Sequence, residues 1–229
     1  PRFSGRVFSG EDERSLERIR VAGSRLRLLL RGGKDVDETH FDRQIRAFGR
    51  KGQALLGALR VGIVGAGGTG STVFEQVARL GVGEIIVVDD DVLTESNLTR
   101  IHESTTAQVD APKVAIAADA AARIGLGTRV TPIDGRITAL EIAKALRDCD
   151  VVFGCTDDNR GRAILSRLAY WYLIPVLDTA FLVDSDGQHV RGLFGRVTIV
   201  APGTACLFCR GRIDRAQLAA EALRLDERE

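Results

Sequence analysis

The sequence has no methionine at all, and it opens on Pro1. It therefore reads as a fragment or a processed product of a longer protein. No apolar run reaches the length of about 18 residues that a membrane-crossing helix requires, so no transmembrane segment is expected. Residues 1–20 are charged rather than apolar, so no secretion signal is visible and a cytoplasmic setting is expected. Charge imbalance is missing too. Lys and Arg number 32 against 31 Asp and Glu, a net charge of +1. That balance points away from nucleic acid and from anionic membrane surfaces, and any cationic site has to be local. Cysteines are few, at four. Cys149 and Cys155 flank the apolar run Val151-Val152-Phe153 and read as thiols at the two ends of a buried strand. Cys206 and Cys209 form a C-x-x-C pair. Without a secretion signal, a disulfide framework is not expected. No internal repeat or low-complexity tract is present.

The 229 residues fit one large domain, or one domain with an appendage. Hydrophobic residues make up 45%, enough to cover both faces of a buried sheet. Residues 1–39 read differently from the rest. Glu11–Arg31 is rich in charge, with apolar residues at irregular spacing, and Gly32-Gly33 follows. The stretch is either a charged helix with a linker or the remnant of an upstream domain. Residues 40–229 read as one α/β domain, expected to be truncated at its C-terminus.

Within that domain, Thr39-His40-Phe41-Asp42 opens a short helix through Phe48. Leu55–Leu59 leads into the apolar run Val61–Val64, and a helix follows over Thr69–Leu80. Ile85–Val88 is the next strand. Lys113–Ile124 reads as a helix, Arg129–Ile133 as a strand and Leu140–Arg147 as a helix. Val151–Gly154 is a strand, Arg160–Tyr172 a helix and Pro175–Leu177 a buried strand. Strands alternating with helices imply a Rossmann-like, mostly parallel sheet with right-handed crossovers. The character then changes. His189–Phe194 and Arg196–Val200 read as an antiparallel hairpin turning around Gly195, and Arg212–Leu225 as a charged helix.

Gly65-Ala66-Gly67-Gly68-Thr69-Gly70 matches G-x-G-x-x-G directly after a strand and at a helix start. Gly65 permits the tight turn. Gly67, with Gly68 beside it, lets backbone N–H groups approach a phosphate, and Gly70 lets the helix pack on the strand. The helix N-terminus adds its dipole and free donors. Asp89, at the end of the second strand, can accept hydrogen bonds from a ribose. These features indicate a nucleotide, yet NAD enzymes, flavin enzymes, methyltransferases and adenylating enzymes all share them.

Three further segments bear on which nucleotide: Phe41-Asp42-Arg43-Gln44-Ile45-Arg46, Ser96-Asn97-Leu98-Thr99-Arg100 and Ala111-Pro112-Lys113-Val114. A dinucleotide pyrophosphate is held by backbone N–H groups and needs few cations. ATP carries more charge, and its departing pyrophosphate builds up further charge that Arg and Lys stabilise. Mg²⁺ acts in the same sense and needs a carboxylate such as Asp157. Each residue also has a plainer reading. Arg43 and Arg46 suit a solvated helix face, and Asn97 and Arg100 a decorated turn. Asp157 or Asp158 suits a helix N-cap.

In their order, R-Q-I, G-x-G-G-x-G, D-x-D, S-N-L-x-R, P-K-V and C-T-D resemble the ThiF/MoeB adenylyltransferases, relatives of the ubiquitin-activating domains. The resemblance runs from Phe41 to around Asp214. It implies that Asp89, the first acid of D-x-D with Asp91 the second, is the ribose ligand. It places Asn97, Arg100 and Lys113 around the triphosphate and Asp157 near Mg²⁺. Arg43 resembles an arginine that reaches the ATP site of a neighbouring protomer, which implies a homodimer. The implied reaction is ATP-dependent adenylation of a carboxylate, expected to be the C-terminal Gly-Gly tail of a ubiquitin-like or sulfur-carrier protein. Rival readings are an NAD(P)-dependent oxidoreductase and a binding module without chemistry.

Two departures from the family stand out. Cys206 and Cys209 supply half of a tetrahedral Zn²⁺ site, but the second C-x-x-C of many relatives is absent. That leaves zinc completed from elsewhere, free thiols or a redox pair as alternatives. No cysteine lies in 210–229, so no residue presents itself for a later thioester step. In addition, Asp158 stands where the family commonly has Asn, so either Asp157 or Asp158 can face a metal. Asp157 is the expected one.

Overall fold

The computed structural model describes residues 5–21, 27–30 and 36–226. The chain begins with two small antiparallel hairpins, β1 (Arg6–Ser9) with β2 (Asp12–Ser15) and β3 (Arg18–Val21) with β4 (Arg27–Leu30). Then come α1 (Glu38–Leu56), β5 (Arg60–Val64), α2 (Gly68–Arg79), β6 (Glu84–Asp89), α3 (Lys113–Ile124), β7 (Arg129–Asp134) and α4 (Leu140–Ala145). The chain continues with β8 (Val151–Gly154), α5 (Asn159–Trp171), β9 (Val176–Ser185), β10 (Val190–Val200) and α6 (Arg215–Asp226).

Six strands form the central sheet in the order β10-β9-β8-β5-β6-β7. All neighbours are parallel except β9 and β10. The near-continuous apolar runs explain why. Ile85, Val87 and Val88 of β6 are at most 1% exposed, so both faces of the strand are covered, as parallel sheets require. On one face α2 and α3 enclose Val61, Ile63, Phe74, Ile85 and Ala120. On the other, Val64, Val88, Val152 and Val176 pack with Leu165 and Leu168 of α5. The chain runs outward through β5, β6 and β7, then crosses back to place β8 on the other side of β5. The reversal leaves a crevice at the C-terminal strand ends, the usual ligand position in open α/β sheets. The alternating strands and helices expected from residue 40 onward are present, in a mostly parallel sheet.

Two local expectations are corrected. Where the sequence allowed a helix over Glu11–Arg31, the described residues form strands. Arg18 and Arg20 of β3 explain how the second hairpin seats on the domain. Arg18 Nη1 lies 2.8 Å from the buried Asp150, and Arg20 donates to the carbonyls of Tyr172 at 2.7 Å and Cys149 at 2.6 Å. The C-terminal hairpin, secondly, does not turn around Gly195. Gly195 lies inside β10, opposite Phe181. The turn is at Asp186–His189, where Asp186 Oδ1 accepts from the N–H groups of Gln188 and His189 and Gly187 adopts φ +90°.

Candidate functional site

A cleft of about 940 Å³ opens at the C-terminal ends of β5, β6 and β8. Its floor is the glycine loop. Gly65 leaves β5 with φ +93°, and a Cβ there would stand 2.7 Å from the carbonyl oxygen of Cys155, so only glycine fits. A Cβ on Gly70 would overlap the Gly65 carbonyl, and Gly70 is buried away from the cleft lining. Gly67 is the open position, with nothing within 4 Å of where its Cβ would be. No side chain caps the start of α2, so its first N–H groups face the cleft as unclaimed donors.

Asp89 closes the loop from β6. Its Oδ2 accepts from the N–H of Ala66 at 2.6 Å and its Oδ1 from the N–H of Asp91 at 2.9 Å. Each oxygen keeps a lone pair for a ligand hydroxyl. Burial pushes this carboxyl above its ordinary range, against the pull of the two N–H bonds and of Lys113.

The sequence-predicted cations divide. Arg100 lies directly above the loop: a Cβ on Gly68 would stand 3.4 Å from its side chain, and its Nη1 donates to the Ser96 carbonyl at 2.9 Å. Lys113 is 8% exposed and pairs with Asp91 at 2.6 Å, with Asp89 Oδ1 at 4.0 Å. Both line the cleft. Asn97 does not. It is buried in the one-turn helix Glu95–Asn97, its Nδ2 3.4 Å from Ser96 Oγ. Arg43 does not line its own chain's cleft either. It is on α1, with a side chain 92% exposed and 4.0 Å from Asp42.

Both acids after β8 line the cleft, and their hydrogen bonds separate them. Asp158 is the N-cap of α5, accepting from the N–H of Gly161 at 2.5 Å and from Thr156 Oγ1. Asp157 is exposed, lines the cleft and has no hydrogen bond or ion pair among the described residues. Sequence reasoning missed Arg136, Arg160, Arg162, Thr179 and Glu221, which also line the cleft. Arg136 Nε is 2.5 Å from Asp90, which raises the guanidinium's pKa. Glu221 of α6 accepts from the N–H groups of Asn159 and Arg160, supplying a carboxylate to the α5 N-terminus. The charged side chains at the helix start after C-T-D-D were the available signal.

The cleft fits a nucleoside triphosphate by its open glycine backbone, uncapped helix and nearby cations. The thiol pair does not make a zinc centre by itself. Cys206 and Cys209 have their sulfurs 3.4 Å apart, outside the cleft, and no group of three or more His, Cys, Asp or Glu able to hold a metal occurs among the described residues.

Comparison with known proteins gives the following. Residues 41–224 match the family model described as "ThiF family". The molybdopterin-synthase adenylyltransferase of Escherichia coli (strain K12) is 31% identical over 183 residues, 78% of this chain and 70% of that protein. The SAMP-activating enzyme E1 of Haloferax volcanii is 30% identical over 179 residues, 76% of this chain and 63% of that protein. Among solved structures, the E. coli tRNA N6-threonylcarbamoyladenosine dehydratase TcdA in complex with ATP superposes with TM-score 0.61 at 24% identity, covering 67% of this chain and 64% of that one. E. coli MccB with AMPCPP and MccA gives TM-score 0.64 at 19% identity over 81% of this chain and 55% of that one. These two likenesses speak to the fold. The chain spans about two thirds of the length of the two curated relatives and of the TcdA structure, and about half of the MccB structure.

Proposed function

The chain belongs to the ThiF family, and from that premise we propose that it transfers the adenylyl group of ATP to a substrate carboxylate, releasing pyrophosphate. The observation that carries this reading is the placement of Arg100 and Lys113 over an uncapped glycine-loop helix, with Asp89 beside it. A hydride-transferring enzyme would leave those cations without a role.

In this reading the α2 N-terminus and Gly67 receive the phosphates, Asp89 the ribose, and Arg100 and Lys113 the charge that grows on the leaving pyrophosphate. Lys113 would exchange Asp91 for a phosphate oxygen as ATP enters. Asp157 would hold Mg²⁺, which when bound bridges and neutralises phosphate oxygens. No side-chain base is needed, because a carboxylate is already ionised near neutral pH. Alignment and charge stabilisation do the rest.

The substrate is proposed to be the C-terminal tail of a ubiquitin-like or sulfur-carrier protein. What supports a protein-borne carboxylate is the apolar face that continues outward from the cleft wall. Phe181 and Val183 line the cleft, while Leu193, Val197 and Ile199 share their face of the hairpin and are each more than half exposed. The proposed assembly is a homodimer in which Arg43 of one protomer serves its partner's cleft. Its exposure and its absence from the lining of its own chain's cleft suit that role. Zinc at Cys206 and Cys209 would need ligands from outside the described residues. No helix among those residues is long and apolar enough to cross a membrane.

Calorimetry tests the nucleotide assignment. ATP–Mg²⁺ should bind at least about tenfold more tightly than NAD, a difference of about 1.4 kcal/mol. Equal or reversed affinities overturn the assignment. Pyrophosphate exchange into ATP, dependent on an added carboxylate tail, distinguishes an enzyme from a binding module.

A further inference from the structure

The β8–β9 side of the cleft holds a cation that the nucleotide does not account for. Arg162, in the second turn of α5, has a side chain 16% exposed and lines the cleft. Its Nε lies 3.5 Å from Oδ1 of Asp178, which is fully buried, and neither atom has a hydrogen-bond partner. The other oxygen of Asp178 is held by Arg196 Nη2 at 2.7 Å. Two guanidinium groups against one carboxylate leave a net positive charge where the surroundings screen it poorly.

The other four cations of the cleft are already engaged. Arg100 donates to the Ser96 carbonyl, Lys113 to Asp91, Arg136 to Asp90 and Arg160 to the Glu221 carbonyl. Among the described residues, Nη1 and Nη2 of Arg162 donate to none. The position matters as well. Asp178 pairs with Gly154 at the C-terminal end of β8, so Arg162 sits beside Cys155–Asp157, across β5 from Asp89. A nucleotide with its ribose at Asp89 and its phosphates on the α2 N-terminus leaves this side for the incoming acyl group. Thr179 and Phe181 wall the approach.

We propose that Arg162 receives the carboxylate of the acyl substrate, with Asp178 and Arg196 as positioning residues that hold its guanidinium; the inference rests on the adenylation reading. A carboxylate approaching a phosphate meets like charge. A planar guanidinium can bind both carboxylate oxygens while one remains aligned for attack. That oxygen forms a bond to the α-phosphorus. The bond from the α-phosphorus to the bridging oxygen breaks, and its electron pair leaves with pyrophosphate. No proton moves.

The test is calorimetry on the full chain with ATP, AMP and a stable acyl-adenylate mimic, 5′-O-[N-(acetylglycylglycyl)sulfamoyl]adenosine. Wild type should bind the mimic more tightly than AMP. Arg162→Gln should weaken the mimic by about tenfold or more, the scale of a charge-assisted hydrogen bond, and leave ATP and AMP within about twofold. Arg162→Lys keeps a charge on Asp178 but loses the planar fork, so it should fall between the two. Arg162→Lys carries the test alone if a thermal melt shows that the Gln variant does not fold. A parallel loss of AMP affinity would make Arg162 a phosphate ligand and overturn the proposal, as would unchanged affinity for the mimic. Wild type that binds ATP but gains nothing from the acyl arm overturns the proposal and leaves the ATP assignment standing. Wild type that binds no adenine nucleotide removes the adenylation reading itself, and this proposal with it.

Discussion

Lys113 begins α3, where the helix dipole disfavours a cation, and it is nearly buried there. Asp91 offsets that cost by pairing with it at 2.6 Å, and this keeps an ammonium group at the cleft before any phosphate arrives. Arg100 is held over the loop in the same sense by the Ser96 carbonyl. Arg100→Ala and Lys113→Ala should each lower pyrophosphate exchange by about 10²-fold, the scale of a lost transition-state donor. Thermal melts should change little for Arg100→Ala, and turnover near wild type in either variant would make the residue surface decoration. The four thiols differ as sharply. Burial pushes Cys149 up to about 12 and Cys155 up to about 11, so neither forms thiolate at pH 8 in the folded chain. The Cys209 N–H on its sulfur holds Cys206 below the ordinary thiol range. After a chelator wash, brief iodoacetamide treatment at pH 8 read by peptide mass spectrometry should label Cys206 first and leave Cys149 and Cys155 unmodified until denaturant is added.

At the scale of elements, α1 acts as the cap of α2. Gln44 Nε2 donates to the Arg79 carbonyl and Gln53 Nε2 to the Leu80 carbonyl, both at 2.9 Å, which satisfies carbonyls that a helix end leaves unpaired. Phe41 packs against Gly81, where a Cβ would collide with its ring. This contact fixes the helix that carries Arg43. Gln53 is buried, so Gln53→Ala strands a carbonyl and should cost about 1–3 kcal/mol in urea denaturation. Loss within error of zero would mean that water replaces the amide. The β9–β10 hairpin shows where element reading failed. Gly195 looked like a turn, yet nothing lies within 4 Å of its missing Cβ and the strand runs straight through it. The real turn carries its signal in Asp186 and Gly187. The N-terminal strands were illegible for a different reason: four-residue strands in mixed charge show neither helical nor alternating periodicity, and two arginine contacts to distant carbonyls and a carboxylate seat the second pair.

At the scale of the molecule, Arg43 lies exposed on α1 and does not line its own chain's cleft, so the proposed homodimer would have to deliver it to a partner's. A planar, permanently charged donor delivered by a second chain has the logic of an arginine finger. Mixing an Arg43→Ala chain with an Asp157→Ala chain, each inactive alone, should restore part of the pyrophosphate exchange. The heterodimer has one cleft with both groups and one with neither. No recovery after subunit exchange has been verified would place Arg43 outside catalysis in trans. The exposed apolar face of β9 and β10 belongs to this scale too, since Phe181, Leu193, Val197 and Ile199 share one side of the hairpin and are each more than half exposed.

The parallel sheet, the glycine loop and the placing of Asp89 and Asp157 at strand ends were legible in the residues themselves, whereas Arg100 and Lys113 were placed at the cleft by their resemblance to the family's motifs. The first group follows from local rules: buried strands read as apolar runs, a tight turn demands glycine, and ligands collect at strand ends. Only the packed chain shows that Asp158 is tied up as the N-cap while Asp157 beside it is uncommitted, that Asn97 is buried in its turn, and that Arg162 and Glu221 join the site. Those outcomes depend on which partners distant segments bring. Arg162 stands out only once Asp178 and Arg196 from the hairpin are beside it, and its charge matters because every neighbouring cation is already bound to something else.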